Sequence, residues 1–135
     1  MFRFEAVNSI ATGLDTVAPS AGVTNDTDGI VDEFFPKTGL KEMVAGCDFV
    51  AVCPPATPET VGMINATVFE AMKPGTIFIN VSRGEIVNED ALIAALESGA
   101  LGGAYLDVFQ GSEEGEEPPA RLMAQPNVII TPHIA

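Results

Sequence analysis

Four short apolar runs recur along the chain, and each is bounded by turn-forming residues. They lie at residues 48–53, 76–81, 103–109 and 127–131. The runs are mostly apolar at successive positions instead of alternating with polar residues, which is typical of strands buried on both faces of a parallel sheet. We therefore predict a strand at each run.

Helical segments separate these strands. Asn65 and Asn88 are residue types that cap helix N-termini, and they precede helices predicted over residues 66–72 and 89–98. A shorter helix is predicted over residues 39–45. Strands that alternate with helices at this spacing favour βα units, so the predicted fold class is α/β with a mostly parallel sheet.

Residues 1–31 form an N-terminal segment with a weaker pattern. Phe2, Phe4 and Ala6 alternate with charged residues, which favours a short strand, whereas residues 18–29 are small, polar and turn-forming. We therefore treat residues 32–135 as the main folded unit.

Composition narrows the classes of partner. The chain has 135 residues, of which 47% are hydrophobic, so it suits one domain with a core. Its net charge is −13, with only six Lys and Arg. Nucleic acids and anionic membrane surfaces both need clustered basic residues, so we expect neither as a partner. Such acidity is also common in proteins of high-salt cytoplasm.

The setting expected from the sequence is a reducing cytoplasm. No apolar run approaches the ~20 residues that span a bilayer, and the first residues do not resemble a secretory signal. Cys47 and Cys53 lie six residues apart along a predicted strand, which would separate them by roughly 20 Å, too far for a disulfide.

Unusual residues follow each of the four predicted strands. The first is followed by residues 54–60 (PPATPET), the second by Arg83 and Gly84, the third run ends in residues 107–109 (DVF), and the fourth is followed by Pro132 and His133. Parallel α/β sheets bind ligands at the carboxyl ends of their strands. We therefore expect these residues to share one edge of the sheet.

The order and spacing of these motifs, together with the MKPG turn at residues 72–75, resemble the D-isomer-specific 2-hydroxyacid dehydrogenase family over residues 32–135. The resemblance implies that residues 32–135 are part of an NAD-binding domain, with NAD as cofactor and NADP not excluded. It also implies a small-molecule 2-keto acid substrate, no metal, and a homodimer in the full-length family member. The implied activity is hydride transfer between NAD(H) and a 2-keto or 2-hydroxy acid.

The resemblance implies catalytic roles for Arg83 and His133. A guanidinium can bind the carboxylate and carbonyl oxygens of a 2-keto acid together, and imidazole titrates near neutrality, as a general acid must. The family places a glutamate beside the histidine, but its usual position holds Ser112 here. We favour Glu113 for this role, with Glu117 as the alternative. The simpler interpretation makes these glutamates solvated loop charges.

The implied cofactor contacts fall on Pro54, Thr60, Val81, Ser82 and Asp107. The Asp107 carboxylate would accept hydrogen bonds from the NH₂ group of the nicotinamide carboxamide. The alternative for Asp107 is an aspartate that caps a turn at the end of a strand.

The glycine-rich G-x-G-x-x-G loop, which binds the pyrophosphate in such domains, is absent from the sequence. We therefore expect an incomplete Rossmann-like sheet that lacks the first βαβ unit, in a truncated form inactive by itself. The strand order implied by the resemblance also places two missing strands between strands 48–53 and 76–81, with two open edges unless residues 1–30 fill the gap.

Two other functions fit the same pattern. One is a non-catalytic α/β remnant that acts as an oligomerisation or interaction module. The other is a related nucleotide-domain protein, such as a formate dehydrogenase. The set of Arg83, a nearby glutamate and His133 favours the hydroxyacid branch over the latter.

Overall fold

The computed structural model describes residues 10–11 and 35–135, and its strands form one parallel sheet. The five strands lie in chain order, so each pairs with its neighbours in sequence. The strands are β1 (Ile10–Ala11), β2 (Phe49–Val52), β3 (Thr76–Asn80), β4 (Leu101–Leu106) and β5 (Val128–Ile130). The α-helices are α1 (Leu40–Ala45), α2 (Ala66–Phe69), α3 (Glu89–Glu97) and α4 (Ala120–Met123). Single 3-10 turns cover Lys37–Gly39, Gly84–Ile86 and Ser112–Glu114.

The predicted α/β class, the four strands and the three helices are confirmed, with shifted ends. Strand β4 begins two residues before its prediction and ends three residues before it, and α2 stops at Phe69. Both predicted caps form. The Asn65 side chain accepts a hydrogen bond from the Thr67 N–H at 3.1 Å, and that of Asn88 accepts from the Ala91 N–H at 2.9 Å. The strand predicted around Phe4 lies outside the described residues.

The expected gap between the first two predicted strands is wrong. Strand β2 pairs directly with β3, with Val50 opposite Phe78 and Val52 opposite Asn80. The connection between them passes through α2, and a single helical crossover commonly places consecutive parallel strands side by side. The other edge of β2 pairs with Ile10 and Ala11.

The hydrophobic core lies between the sheet and the helices. Phe78 of β3 is fully buried and meets Phe69 of α2 edge to face, with ring centroids 5.2 Å apart. Val50 and Leu106 belong to the same buried cluster, as does Leu92 of α3. Because side chains alternate along a strand, the other face of the sheet carries a different set of residues.

That second face is less covered in the part of the chain that the structure describes. Phe49 and Ile129 are 43% and 61% exposed, and Ile77, Ile79 and Tyr105 are half-buried. Among the described helices, none is long and apolar enough to cross a membrane.

The carboxyl ends of β3, β4 and β5 stay connected beyond the strands themselves. The Asp107 N–H donates to the Asn80 carbonyl at 2.9 Å, and the Thr131 N–H donates to the Leu106 carbonyl at 3.0 Å. The His133 N–H then donates to the Asp107 carbonyl at 3.1 Å. This edge therefore brings the motifs after three neighbouring strands together.

Candidate functional site

The turn after β3 is shaped by the buried side chain of Asn80. Its Oδ1 accepts from the Ser82 N–H and its Nδ2 donates to the Arg83 carbonyl, both at 3.1 Å. The Ser82 hydroxyl donates to the Pro54 carbonyl, which ties this turn to the loop after β2. These contacts fix the backbone that presents Arg83. Sequence reasoning did not assign Asn80 this role, although an asparagine inside an apolar strand run is a signal for it.

Gly84 allows this turn to pack against the segment that follows β4. A Cβ atom added at Gly84 would lie 2.1 Å from the Phe109 carbonyl oxygen, closer than such contacts occur. The glycine of the Arg-Gly pair is therefore explained by a close backbone approach, which holds the Arg83 turn beside the loop that carries the glutamates.

The Arg83 side chain is about half exposed and binds Glu113. Its Nε lies 2.6 Å from Glu113 Oε1, and its Nη1 donates to the Ser82 carbonyl at 2.8 Å. Glu113 lies on the 3-10 turn Ser112–Glu114. The structure thus places Glu113 at Arg83, and its predicted partnership with His133 stays a prediction.

Asp107 is buried immediately after β4 and binds the segment that follows β5. Oδ1 accepts from the Thr131 hydroxyl at 2.5 Å and from the Ile134 N–H at 2.9 Å, while Oδ2 accepts from the Ala135 N–H at 2.8 Å. Burial raises the pKa of Asp107, but these hydrogen bonds and the nearby His133 together outweigh burial and lower the pKa below its ordinary value. Asp107 therefore caps this turn as a carboxylate.

His133 lies on this capped turn with a left-handed backbone, at φ 55°. It borders a cleft of about 340 Å³, a volume within the range of small-molecule sites. The cleft lies between the loop after β4 and the end of β5. Its charged or titratable lining residues are Asp107, Glu116, Glu117 and His133. Glu117, the alternative partner of His133, thus shares the cleft with it.

The implied cofactor residues after β2 are largely occupied by local contacts. Thr60 is fully buried, and its hydroxyl donates to the Pro55 carbonyl at 2.8 Å and accepts from the Thr57 N–H at 2.7 Å. Pro54 is buried, and Val81 is half-buried. These residues give the loop its shape, while their contact with a cofactor stays a prediction.

The fit to a dinucleotide is partial. The cleft has a volume typical of small-molecule sites, but Asp107 itself is fully buried and its carboxylate already accepts three hydrogen bonds within the chain. The glycine-rich loop that holds the pyrophosphate is absent from the sequence. Across the described residues, no group of three or more His, Cys, Asp or Glu side chains is arranged to hold a metal ion.

Known proteins resemble this chain in sequence and in fold. The family model described as "D-isomer specific 2-hydroxyacid dehydrogenase, NAD binding domain" matches residues 5–135. D-3-phosphoglycerate dehydrogenase from Synechocystis sp. is 47% identical over 95 residues, which cover 70% of this chain and 17% of that protein. Glyoxylate/hydroxypyruvate reductase B from Cronobacter sakazakii is 46% identical over 95 residues, which cover 70% of this chain and 29% of that protein.

A solved structure of a 2-hydroxyacid dehydrogenase also resembles this chain. The D-isomer specific 2-hydroxyacid dehydrogenase from Xanthobacter autotrophicus Py2, in complex with NADPH and MES, matches with a TM-score of 0.70 and 43% identity. The match covers 79% of this chain and 34% of that chain. The chain therefore spans about a third or less of the length of the proteins it matches.

Proposed function

The chain belongs to the NAD-binding domain family of the D-isomer specific 2-hydroxyacid dehydrogenases, and from this premise we propose that it contributes the nicotinamide side of such an active site. The observation that carries the proposal is the shared sheet edge. Arg83 follows β3, Asp107 follows β4 and His133 follows β5, so three adjacent strands supply a cation, a buried carboxylate and an acid.

The proposed reaction is the reversible reduction of a 2-keto acid. NADH, when bound, supplies a hydride to the carbonyl carbon. Arg83 binds the substrate carboxylate and polarises the carbonyl, because a guanidinium can contact both groups at once. His133 donates a proton to the carbonyl oxygen, so hydride and proton together give the 2-hydroxy acid. Pro54, Thr60, Val81, Ser82 and Asp107 are the proposed cofactor contacts.

A glutamate is proposed to orient His133. Glu117 is supported by its place on the same cleft, and Glu113 by its position one residue after the family's usual site. The family further supports NAD or NADP as cofactor, a homodimer for the full-length protein and a cytoplasmic location. These remain proposals, as does the choice of 2-keto acid.

Binding of pyruvate tests the role of Arg83. We expect weak binding, seen as shifts of the Arg83 side-chain signal and of signals around the cleft in ¹H–¹⁵N spectra. Arg83→Gln should abolish the shifts around the cleft, because the variant lacks the paired N–H donors of the guanidinium. Lys41→Gln is the matched control, since it removes one exposed positive charge from α1. Equal binding by both variants and the original chain would overturn the proposal.

We also propose that these 135 residues do not catalyse turnover by themselves. The sequence has no G-x-G-x-x-G loop, whose backbone donors and following helix hold the pyrophosphate in such domains. Calorimetry should therefore detect weak or no NADH binding, and pyruvate should not oxidise NADH. Micromolar NADH binding by this chain would contradict this part of the proposal. Folding without binding either ligand would favour the alternative of a non-catalytic interaction module.

A further inference from the structure

The donors of Arg83 are already partly used within the chain. A guanidinium has five N–H donors and binds a carboxylate through two of them, either through Nε and Nη2 or through Nη1 and Nη2. Glu113 occupies Nε at 2.6 Å, and the Ser82 carbonyl occupies one donor of Nη1 at 2.8 Å. The Nε and Nη2 donors can therefore bind a second carboxylate together only after Glu113 has left Nε.

The two internal contacts differ in how firmly they are held. The Ser82 carbonyl belongs to a buried turn, in which the Asn80 side chain accepts from the Ser82 N–H and the Ser82 hydroxyl donates to the Pro54 carbonyl. The Glu113 side chain is 39% exposed and belongs to a turn of three residues. Of the two, Glu113 is the contact that an incoming anion displaces at low cost, because exposed ion pairs are weak.

We propose that Glu113 is an internal competitor for the substrate, whose carboxylate occupies Arg83 until the carboxylate of a 2-keto acid replaces it. This inference rests on the proposed role of Arg83. Two carboxylates beside one half-exposed guanidinium would repel each other, so binding exchanges one anion for another. Glu113 thereby sets the affinity of the site for its substrate.

The turn that carries Glu113 is short, and a glycine lies at each end of it. Gly111 and Gly115 bracket it with left-handed backbones, at φ 80° and 79°. Nothing lies within 4 Å of a Cβ added at Gly115, so that end of the turn has open space beside it. At the other end, the Ser112 hydroxyl accepts from the Phe109 N–H at 3.3 Å.

A pyruvate titration of Glu113→Gln measures the competition. The Arg83 Nε–H signal in ¹H–¹⁵N spectra reports occupancy directly, because this is the atom that Glu113 contacts. We expect Glu113→Gln to bind pyruvate roughly two- to fivefold more tightly than the original chain, the range that a half-exposed ion pair allows.

Glu114→Gln is the matched control. It removes the same charge from the same turn, and Glu114 is exposed. We expect it to leave pyruvate affinity unchanged. If pyruvate affinity rose equally in Glu113→Gln and Glu114→Gln, general charge repulsion would explain the increase and the inference would be overturned. An unchanged or weaker affinity in Glu113→Gln would overturn it too. Arg83→Gln tests the premise that Arg83 binds the substrate carboxylate. If this variant still binds pyruvate, Arg83 is not the anion site, whatever the role of Glu113.

Discussion

Asp107 is buried, and it accepts three hydrogen bonds from the segment that carries His133. Two of the donors are the backbone N–H groups of Ile134 and Ala135, so both oxygens of Asp107 must act as acceptors. Burial raises the pKa of Asp107, but the hydrogen bonds and His133 reverse this and leave it below its ordinary value of 3.8. The ionised form therefore holds this segment against β4.

Replacing Asp107 by Asn tests this role. The amide NH₂ would face a backbone N–H, so we expect a loss of about 1–3 kcal/mol in the free energy of unfolding near pH 7. A lowered pKa stabilises the fold above the unfolded value of about 4, and this contribution disappears as pH falls through the folded value. The difference between the two proteins, measured by urea unfolding, should therefore shrink below about pH 4.

Glu70→Gln provides the control, because Glu70 is an exposed carboxylate at the end of α2. Its effect on stability should be small at every pH. A stability difference for Asp107→Asn that persists unchanged below the lowered pKa would show that charge is not what holds the segment.

The sequence predicted which strand-end residues lie at the shared edge, but it did not predict which side chains they contact. The motifs around Arg83 and His133 indicated a shared edge because parallel strands end on the same side. The contact between Arg83 and Glu113 depends on the path of a loop rich in glycine and glutamate, where several glutamates are equivalent in the sequence. Local pattern cannot choose among them.

The elements follow local sequence signals, whereas their pairing does not. Asn65 and Asn88 cap helices through contacts within three residues, so the sequence alone sufficed to predict them. Strand β4 was predicted to begin two residues too late, at Gly103, because glycine weakens the strand pattern at Gly102. In the structure, Cβ atoms at Gly102 and Gly103 would lie 2.4 and 2.6 Å from carbonyl oxygens of neighbouring segments, so the strand needs both glycines.

The direct pairing of β2 with β3 was not predicted, since strand order is set by long-range packing. The expected gap came from a mistaken family strand order. A single crossover through α2 is the simpler topology. It places β3 directly beside β2, where the missing strands were expected.

Gly84 is the point where the element after β3 contacts the element after β4, and Gly84→Ala tests that packing. The added Cβ would meet backbone atoms of Phe109 and Gln110 at 2.1 to 2.6 Å, and backbone cannot rotate away as a side chain can. We expect the free energy of unfolding to fall by about 1–3 kcal/mol or more, measured by chemical denaturation.

The same substitution at Gly46 is a matched control. Gly46 has a right-handed backbone after α1, and the nearest atom to an added Cβ is 4.0 Å away. We expect Gly46→Ala to be neutral or stabilising by up to about 1 kcal/mol. If Gly84→Ala were as harmless as Gly46→Ala, the two loops would not be in the close contact described.

On the scale of the molecule, the described helices and the sheet enclose one core, and the acidic charge lies around it. The chain has nineteen Asp and Glu residues and six Lys and Arg, so negative side chains exceed positive ones by thirteen. The ion pairs of the described residues, such as Lys73 with Asp48 and Arg121 with Glu97, are partly exposed. Salt weakens such pairs, but it also screens repulsion among the many remaining carboxylates.

The two effects of salt are unequal, and we expect repulsion to dominate. Exposed pairs contribute about 0–1 kcal/mol each, whereas the net charge of −13 acts on every carboxylate at once. The free energy of unfolding, measured with urea, should rise as KCl increases from ~0.05 M to ~0.5 M, where the screening length falls below ~10 Å. Combining Glu70→Lys, Glu85→Lys and Glu114→Lys, all exposed, reverses three charges and should flatten this dependence. A stability that falls with salt would instead mean that the ion pairs outweigh the repulsion.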